Sequence, residues 1–471
     1  MRNVLFVICD EMARSALGCY GNAVAKTPHL DALAHTGVRF SRAITPSPIC
    51  IPARASLATG LAVHEHGCWS SAQAFEGAHP TWMGAARDRG CDVVSIGKLH
   101  FKRRGLDYGF SEERHPMYVA NGGVGWAEAL LRTPLPAYDG APEMARDVGP
   151  GDTSYTDYDR TLADDAETWL RARSATDKPF VLSVSLVSPH YPLSAPQHWY
   201  DRYAGVEMPP RLAVEESHPV LREMARFWDY DRYFSDDQRR EARRNYYALC
   251  SMVDDTVGRL VAALDDSGLR DNTDIVFTSD HGDMLGNRGW WAKSVMYEDS
   301  VGVPLIINGP SLDGQTGVVD TPVNLTDIGV TVLHAVTGEP PPRPVESWRP
   351  TSLLSLAKSP DLSRCVLSEY HDGGSPCGFA LLQRRRHKLV RYADGYPDQF
   401  FDTETDPDEL RDLATLDVPE HAELSTALNR IVDIDACNRL ALDSQAALLA
   451  SLGGEAGLAA LTPFNHTPVG S

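Results

Sequence analysis

The chain has 471 residues, 43% of them hydrophobic, enough for two or more domains with ample core. Its 44 basic against 64 acidic residues leave a formal net charge of −20. That balance argues against nucleic acid or an anionic membrane as partner, and an anionic substrate would have to find a local cluster of cations. The nine scattered cysteines contain no Cys-x-x-Cys pair, so a reduced intracellular chain is expected, not a disulfide scaffold or zinc ribbon.

Read in chain order, an apolar run at residues 4–9 predicts a buried strand closed by Asp10-Glu11. The run is too short for a signal-peptide core, and no stretch approaches the ~20 residues needed to span a bilayer. A cytoplasmic location is therefore expected. A helical period follows at 29–36, then Cys50-Ile51-Pro52-Ala53-Arg54, where Pro52 suits the first turn of a helix and places Arg54 one turn beyond Cys50. The strand predicted at 92–96 runs into Gly97-Lys98-Leu99-His100, with Lys98 and His100 two apart on one face of an extended segment.

A helix is expected at 158–173 and a strand at 180–187 that ends in Pro189-His190. Residues 241–267 carry Val253, Val257, Leu260 and Leu264 at helical spacing, and the strand at 275–278 leads to Asp280-His281-Gly282-Asp283. Lys293 and a strand at 303–307 come next. Strands alternating with helices predict an α/β fold, a large mixed but mostly parallel sheet with helices on both faces. Ligands of such sheets bind beyond the carboxyl ends of the strands, so four strand ends loaded with polar residues predict one composite pocket.

The run Pro340-Pro341-Pro342-Arg343-Pro344 marks a change of organisation. Strands expected at 365–369, 379–383 and 388–392 predict a smaller antiparallel α+β domain. The expected division is a catalytic domain at 1–345, a small domain at 346–435 and a tail at 436–471. The tail reads as two short helices broken at Gly453-Gly454 and an extended end through Pro463-Phe464-Asn465, packed on its own body or on a neighbouring subunit.

Asp10, Glu11, Asp280 and His281 offer three carboxylates and an imidazole, a donor set for a divalent metal. Either acidic pair alone is an ordinary strand-end turn; both pairs with the Cys50 motif favour a site. Arg54, Lys98, His100, His190 and Lys293 would each read as surface base or core histidine in isolation. Together they supply the local positive cage that an anionic substrate would need in a chain of net charge −20.

Cys50-x-Pro52-x-Arg54 resembles the signature of the sulfatase family, in which the cysteine is oxidised to formylglycine. The resemblance extends over Lys26-Thr27-Pro28-His29-Leu30-Asp31, Gly97 to His100, Pro189-His190, Ser279 to Gly282, Lys293, and Phe400-Phe401-Asp402-Thr403-Glu404-Thr405-Asp406-Pro407. It implies a metal held by Asp10, Glu11, Asp280, His281 and the modified Cys50. Arg54 and Lys98 would stabilise the aldehyde hydrate, His100 would deprotonate it, and His190 with Lys293 would assist the leaving oxygen. The implied activity is hydrolysis of aryl or alkyl sulfate through a covalent sulfo-enzyme intermediate, after conversion of Cys50 by a formylglycine-generating enzyme.

Two departures narrow this. His281 stands where many calcium sulfatases have Asn, and Glu11 where Asp or Gln is frequent. The resemblance implies Ca2+ or Mn2+ before Zn2+, and the imidazole, a poor ligand for calcium, weighs toward manganese or zinc. Together with Asp280-His281-Gly282-Asp283-Met284-Leu285-Gly286 and the long tail, these features resemble the branch of choline sulfatases and phosphonate monoester hydrolases, and they imply a homo-oligomer, dimer or tetramer. Two alternatives stay open: a phosphonate monoester or phosphodiester hydrolase with the same nucleophile, and an inactive metal-binding scaffold if Cys50 remains a thiol. Trp126, Trp199, Trp228, Trp290 and Trp291 are candidates for the pocket rim, and His371-Asp372-Gly373-Gly374-Ser375 for a substrate-facing loop.

Overall fold

The computed structural model describes residues 1–132, 134–464 and 466–471, so Asn465 of the expected extended end lies outside the described residues. Asn3–Asp10 is buried on both faces and occupies the middle of an eight-stranded sheet. Its even members Val4, Phe6 and Ile8 enter one core with Ala55 and Ala58 of helix Cys50–Thr59 and Ile328 and Val332 of helix Asp327–Thr337. Its odd members Leu5, Val7 and Cys9 enter another, with Leu162 of Ser154–Arg171 and Leu249, Val253 and Leu260 of Asp236–Asp266. The period of two along the strand thus divides the helices between the two faces.

The order across the sheet is Gly317–Val319, Val38–Phe40, Leu305–Asn308, Thr273–Ser279, Asn3–Asp10, Phe180–Pro189, Asp92–Lys98 and Glu112–Met117. Leu305–Asn308 runs antiparallel to both neighbours, and the other pairings are parallel. The four central strands therefore point their carboxyl ends the same way, and Asp10, Lys98, Pro189 and Ser279 finish side by side. The expected mixed, mostly parallel sheet is what the chain forms.

Cys365–Tyr370, Phe379–Arg384, His387–Tyr392 and Gln399–Asp402 make a separate antiparallel meander, the smaller sheet expected after the proline run. Its inner face packs on Leu424 and Leu428 of Pro419–Ile431 and reaches Ile44, Val63 and Trp69 of the larger body. Buried Lys388 ties the two together, donating to Glu298 Oε1 at 2.9 Å and Glu409 Oε1 at 2.6 Å. The last helices, Ile434–Ser451 and Gly454–Leu458, are interrupted at Gly453, whose φ of 91° suits a residue without a side chain.

Candidate active site

Cys50 is the first residue of helix Cys50–Thr59, at the sheet's carboxyl edge. Its Sγ lies 3.1 Å from His281 Nε2 and 3.6 Å from Asp10 Oδ1. Nδ1 of His281 is occupied by the Gly282 carbonyl oxygen at 3.1 Å, which leaves Nε2 as the ring atom facing the site. Donor atoms of Asp10, Cys50, Asp280 and His281 all lie within 4.8 Å of one another, and all four residues are buried. Two carboxylates, an imidazole and the side chain of residue 50 at that separation fit one divalent cation.

Glu11 stands beside this group. It comes within the same spacing of Asp10 and His190, while its Oε2 is 3.2 Å from Lys293 Nζ and 3.3 Å from His190 Nε2. Its Oε1 is buried and has no partner among the described residues. Burial, only partly offset by Lys293, pushes its carboxyl up to about 7. The backbone at Glu11 has φ 70°, and Tyr246 holds it there: the Tyr246 hydroxyl donates to the Glu11 carbonyl at 2.8 Å and accepts from Ala13 N at 2.9 Å.

The cations approach from a helix, a strand and a loop. One turn into the helix, Arg54 Nε donates to Asp280 Oδ2 at 2.8 Å, and its Nη1 reaches the Lys98 carbonyl and Ser185 Oγ at 2.9 and 2.8 Å. Lys98 Nζ donates to Asp10 Oδ2. Although burial opposes its charge, Asp10 is held well below the usual carboxylate range, chiefly by the ammonium of Lys98. Lys293, also buried, keeps its ammonium because the carboxylates of Glu11 and Asp10 beside it outweigh desolvation. His100 and His190 are held neutral: burial is the main cause for both, joined by Lys98 for His100 and Lys293 for His190. Asp159 steadies the approach to His190 by accepting from Val187 N at 2.8 Å and Ser188 N at 2.7 Å.

Glu11, Cys50, Lys98, His100, His190 and Lys293 line one cavity of about 150 Å³. Its outer wall is aromatic. Trp228 lies 5.3 Å from Trp126, 5.2 Å from Tyr138 and 5.8 Å from Tyr230, centroid to centroid. Of the expected rim tryptophans, Trp126, Trp228 and Trp291 line the cavity, whereas Trp199 and Trp290 pack into the core. Asp372 from the expected C-terminal loop reaches the lining, held by Ser71 N at 3.1 Å. Sequence reasoning missed Tyr138, Tyr230 and the tail residues Phe464, His466 and Thr467, which also line it. No motif marks them, because they meet the pocket only through tertiary folding.

A family model described as Sulfatase matches residues 2–338, and one described as N-sulphoglucosamine sulphohydrolase, C-terminal, matches residues 286–435. Among curated relatives, arylsulfatase K of Xenopus laevis is 29% identical over 462 residues, covering 92% of this chain and 82% of that protein. The choline-sulfatase of Rhizobium meliloti is 30% identical over 429 residues, covering 88% and 82%. Among solved structures, the phosphonate monoester hydrolase of Agrobacterium radiobacter superposes with a TM-score of 0.72 at 23% identity, over 92% of this chain and 95% of that one, a likeness of fold.

Proposed function

The chain belongs to the sulfatase family, and from that premise we propose that it hydrolyses sulfate monoesters of small alcohols or phenols with an oxygen nucleophile made from Cys50. The position of Cys50 carries this reading. Its Sγ opens a helix within 3.6 Å of both His281 and Asp10, with Arg54 one turn behind. A thiolate would be a poor alternative, since burial and then Asp10 push the thiol up to about 12.

Oxidation to formylglycine by a formylglycine-generating enzyme would exchange that sulfur for oxygen. The aldehyde hydrate supplies one hydroxyl to attack sulfur and a second whose loss of a proton expels sulfate and restores the aldehyde. A divalent cation held by Asp10, Asp280, His281 and residue 50, with Glu11 beside it, supplies charge neutralisation and a lowered pKa for the attacking oxygen.

The remaining work falls to this chain's own groups. Arg54 and Lys98 orient the nucleophile's surroundings through Asp280 and Asp10 and present positive charge to the sulfuryl oxygens. Each such group contributes on the order of 3 kcal/mol to transition-state stability. His100, neutral because it is buried, can accept a proton from residue 50. Lys293, charged, and His190, neutral with Nδ1 donating to the Tyr191 carbonyl at 2.7 Å, face the side from which the alcohol oxygen departs. The 150 Å³ cavity supports a small alcohol half, and its aromatic wall with Asp372 suits either an aryl group or a cationic alcohol.

The test combines mass analysis of the Cys50 peptide with kcat/KM on an aryl sulfate, choline sulfate, a phosphonate monoester and a phosphodiester. The expected result is an aldehyde at residue 50 and the highest kcat/KM on a small sulfate ester. Active enzyme carrying only the thiol would overturn the mechanism, and a preference for the phosphonate or phosphodiester would overturn the substrate class.

A further inference from the structure

The end of the chain is built into the pocket. Thr467 Oγ1 lies 3.0 Å from His100 Nε2, although 367 residues separate the two, and both are buried. The Thr467 carbonyl accepts from the Tyr155 hydroxyl at 2.8 Å, so the residue is clamped by its backbone as well. On either side the tail is tied down again: Asn121 Nδ2 donates to the Thr462 carbonyl and Tyr118 N to the Ser471 carbonyl, each at 3.1 Å. His466 packs edge-on against Tyr155 with centroids 4.9 Å apart.

His100 has its backbone fixed independently, at φ 52° with its N–H donating to the Met117 carbonyl at 3.0 Å. What remains free is rotation of the imidazole and the choice of tautomer. Thr467 is the hydrogen-bond partner of Nε2, while Nδ1 is buried and has no partner among the described residues. A hydroxyl can accept from an N–H and keep the ring from turning. It then leaves the lone pair on the other nitrogen, the form a base requires.

We propose that Thr467 is a positioning residue for His100: its hydroxyl accepts a hydrogen bond from Nε2–H, which fixes the ring and leaves the lone pair on Nδ1. The tail is then part of the catalytic apparatus. This rests on His100 acting as the base.

The experiment compares Thr467→Val, Thr467→Ser and His100→Gln in the full-length enzyme. Three measurements are made: kcat and KM on one sulfate ester, sulfate affinity by calorimetry, and His100 tautomer by NMR of nitrogen-labelled histidine, assigned by its loss in His100→Gln. Thr467→Val should lower kcat by roughly ten- to a hundredfold, the scale of a misplaced catalytic group. KM and sulfate affinity should stay within about twofold, and the His100 signal should change from one tautomer to a mixture. Thr467→Ser, which keeps the hydroxyl, should restore kcat and the single tautomer. If the valine variant fails to fold, Thr467→Ala removes the hydroxyl without added branching and is read in the same way. Wild-type kcat and an unchanged tautomer in Thr467→Val, beside an inactive His100→Gln, would overturn the role of Thr467 alone. Full kcat in His100→Gln would overturn the base assignment itself.

Discussion

Nε2 of His281 faces Cys50 Sγ across 3.1 Å because the Gly282 carbonyl occupies the other ring nitrogen. The Asp280 carboxylate is also committed in direction, accepting from Glu11 N at 3.2 Å and Arg54 Nε at 2.8 Å. The donor set is therefore preorganised with a nitrogen at one corner, and that corner governs the ion. Nitrogen ligands favour manganese or zinc over calcium, which prefers oxygen. After chelation and readdition, Mn2+ should restore more activity and bind more tightly than Ca2+, and His281→Asn should reverse the order. Metal content by mass spectrometry and calorimetric affinities measure this. An unchanged order in His281→Asn would remove the imidazole from the coordination shell.

Lys293 is the cation proposed to meet the departing oxygen. Its ammonium sits 3.2 Å from Glu11 Oε2 in the cavity wall and stays charged. A cation there matters most when the leaving oxygen is strongly basic. Lys293→Ala should lower kcat on alkyl sulfates by roughly 100- to 1,000-fold and on an activated aryl sulfate by less than about tenfold. A Brønsted plot across phenols of graded acidity should steepen. Equal losses across the series would assign Lys293 to substrate binding or to holding Glu11.

Gly97 shapes the turn that brings both Lys98 and His100 to the pocket. It adopts φ 109°, at the irregularity in pairing between Ile96 and Lys98, and a Cβ there would lie 2.3 Å from the Ser185 carbonyl and 2.6 Å from Leu162 Cδ1. Ser185 in turn binds Arg54. Gly97→Ala should therefore cost about 3 kcal/mol in denaturant unfolding, combining left-handed strain with overpacking. The folded fraction should also lose activity, because the displaced strand carries Lys98 and the Arg54 contact. A stability loss within experimental error would show that the two strands can separate cheaply.

These residues also indicate what was legible beforehand. The strand ends at Asp10, Lys98 and Ser279 were readable from apolar runs halted by polar residues, and parallel pairing of neighbouring strands then made them adjacent. Pro52 suggested a helix opening near it, and the helix starts two residues earlier at Cys50; the break at Gly453 was readable from two successive glycines. Glu112–Met117 was not legible: its sequence Glu-Glu-Arg-His-Pro-Met is largely polar and contains a proline, which an edge strand tolerates. Leu305–Asn308 was legible as a strand but not as the antiparallel one, because direction depends on the connection and not on composition. Of the aromatic wall, Trp126, Trp228 and Trp291 were candidates beforehand, whereas Tyr138, Tyr230 and Thr467 left no signal, since side chains that meet across hundreds of residues follow no local period.

Glu369 links the antiparallel sheet to the larger body through His64 and also meets His371 of its own domain, and this should appear in the pH dependence of stability. Its Oε1 is 2.9 Å from His64 Nδ1 and its Oε2 3.4 Å from His371 Nε2, with the carboxylate 1% exposed. Burial alone would raise its pKa, but the hydrogen bonds from His371 and His64 outweigh it and bring the carboxyl from an ordinary 4.5 down to about 2. A carboxyl whose pKa is lower in the folded state contributes stability that is fully present above about 4.5 and is lost as pH falls toward 2. His64 acts in the opposite sense, because Glu369 raises its pKa against burial, so its share is present at low pH and is lost on the alkaline side. Glu369→Gln should thus lower stability by about 3 kcal/mol at neutral pH, the scale of a broken buried pair. Between pH 4.5 and 2 its Tm should fall less steeply than that of the wild type, so that the two curves converge. Parallel curves over that interval would mean that Glu369 is already protonated in the folded protein, and that the two imidazoles hold it as a neutral acid.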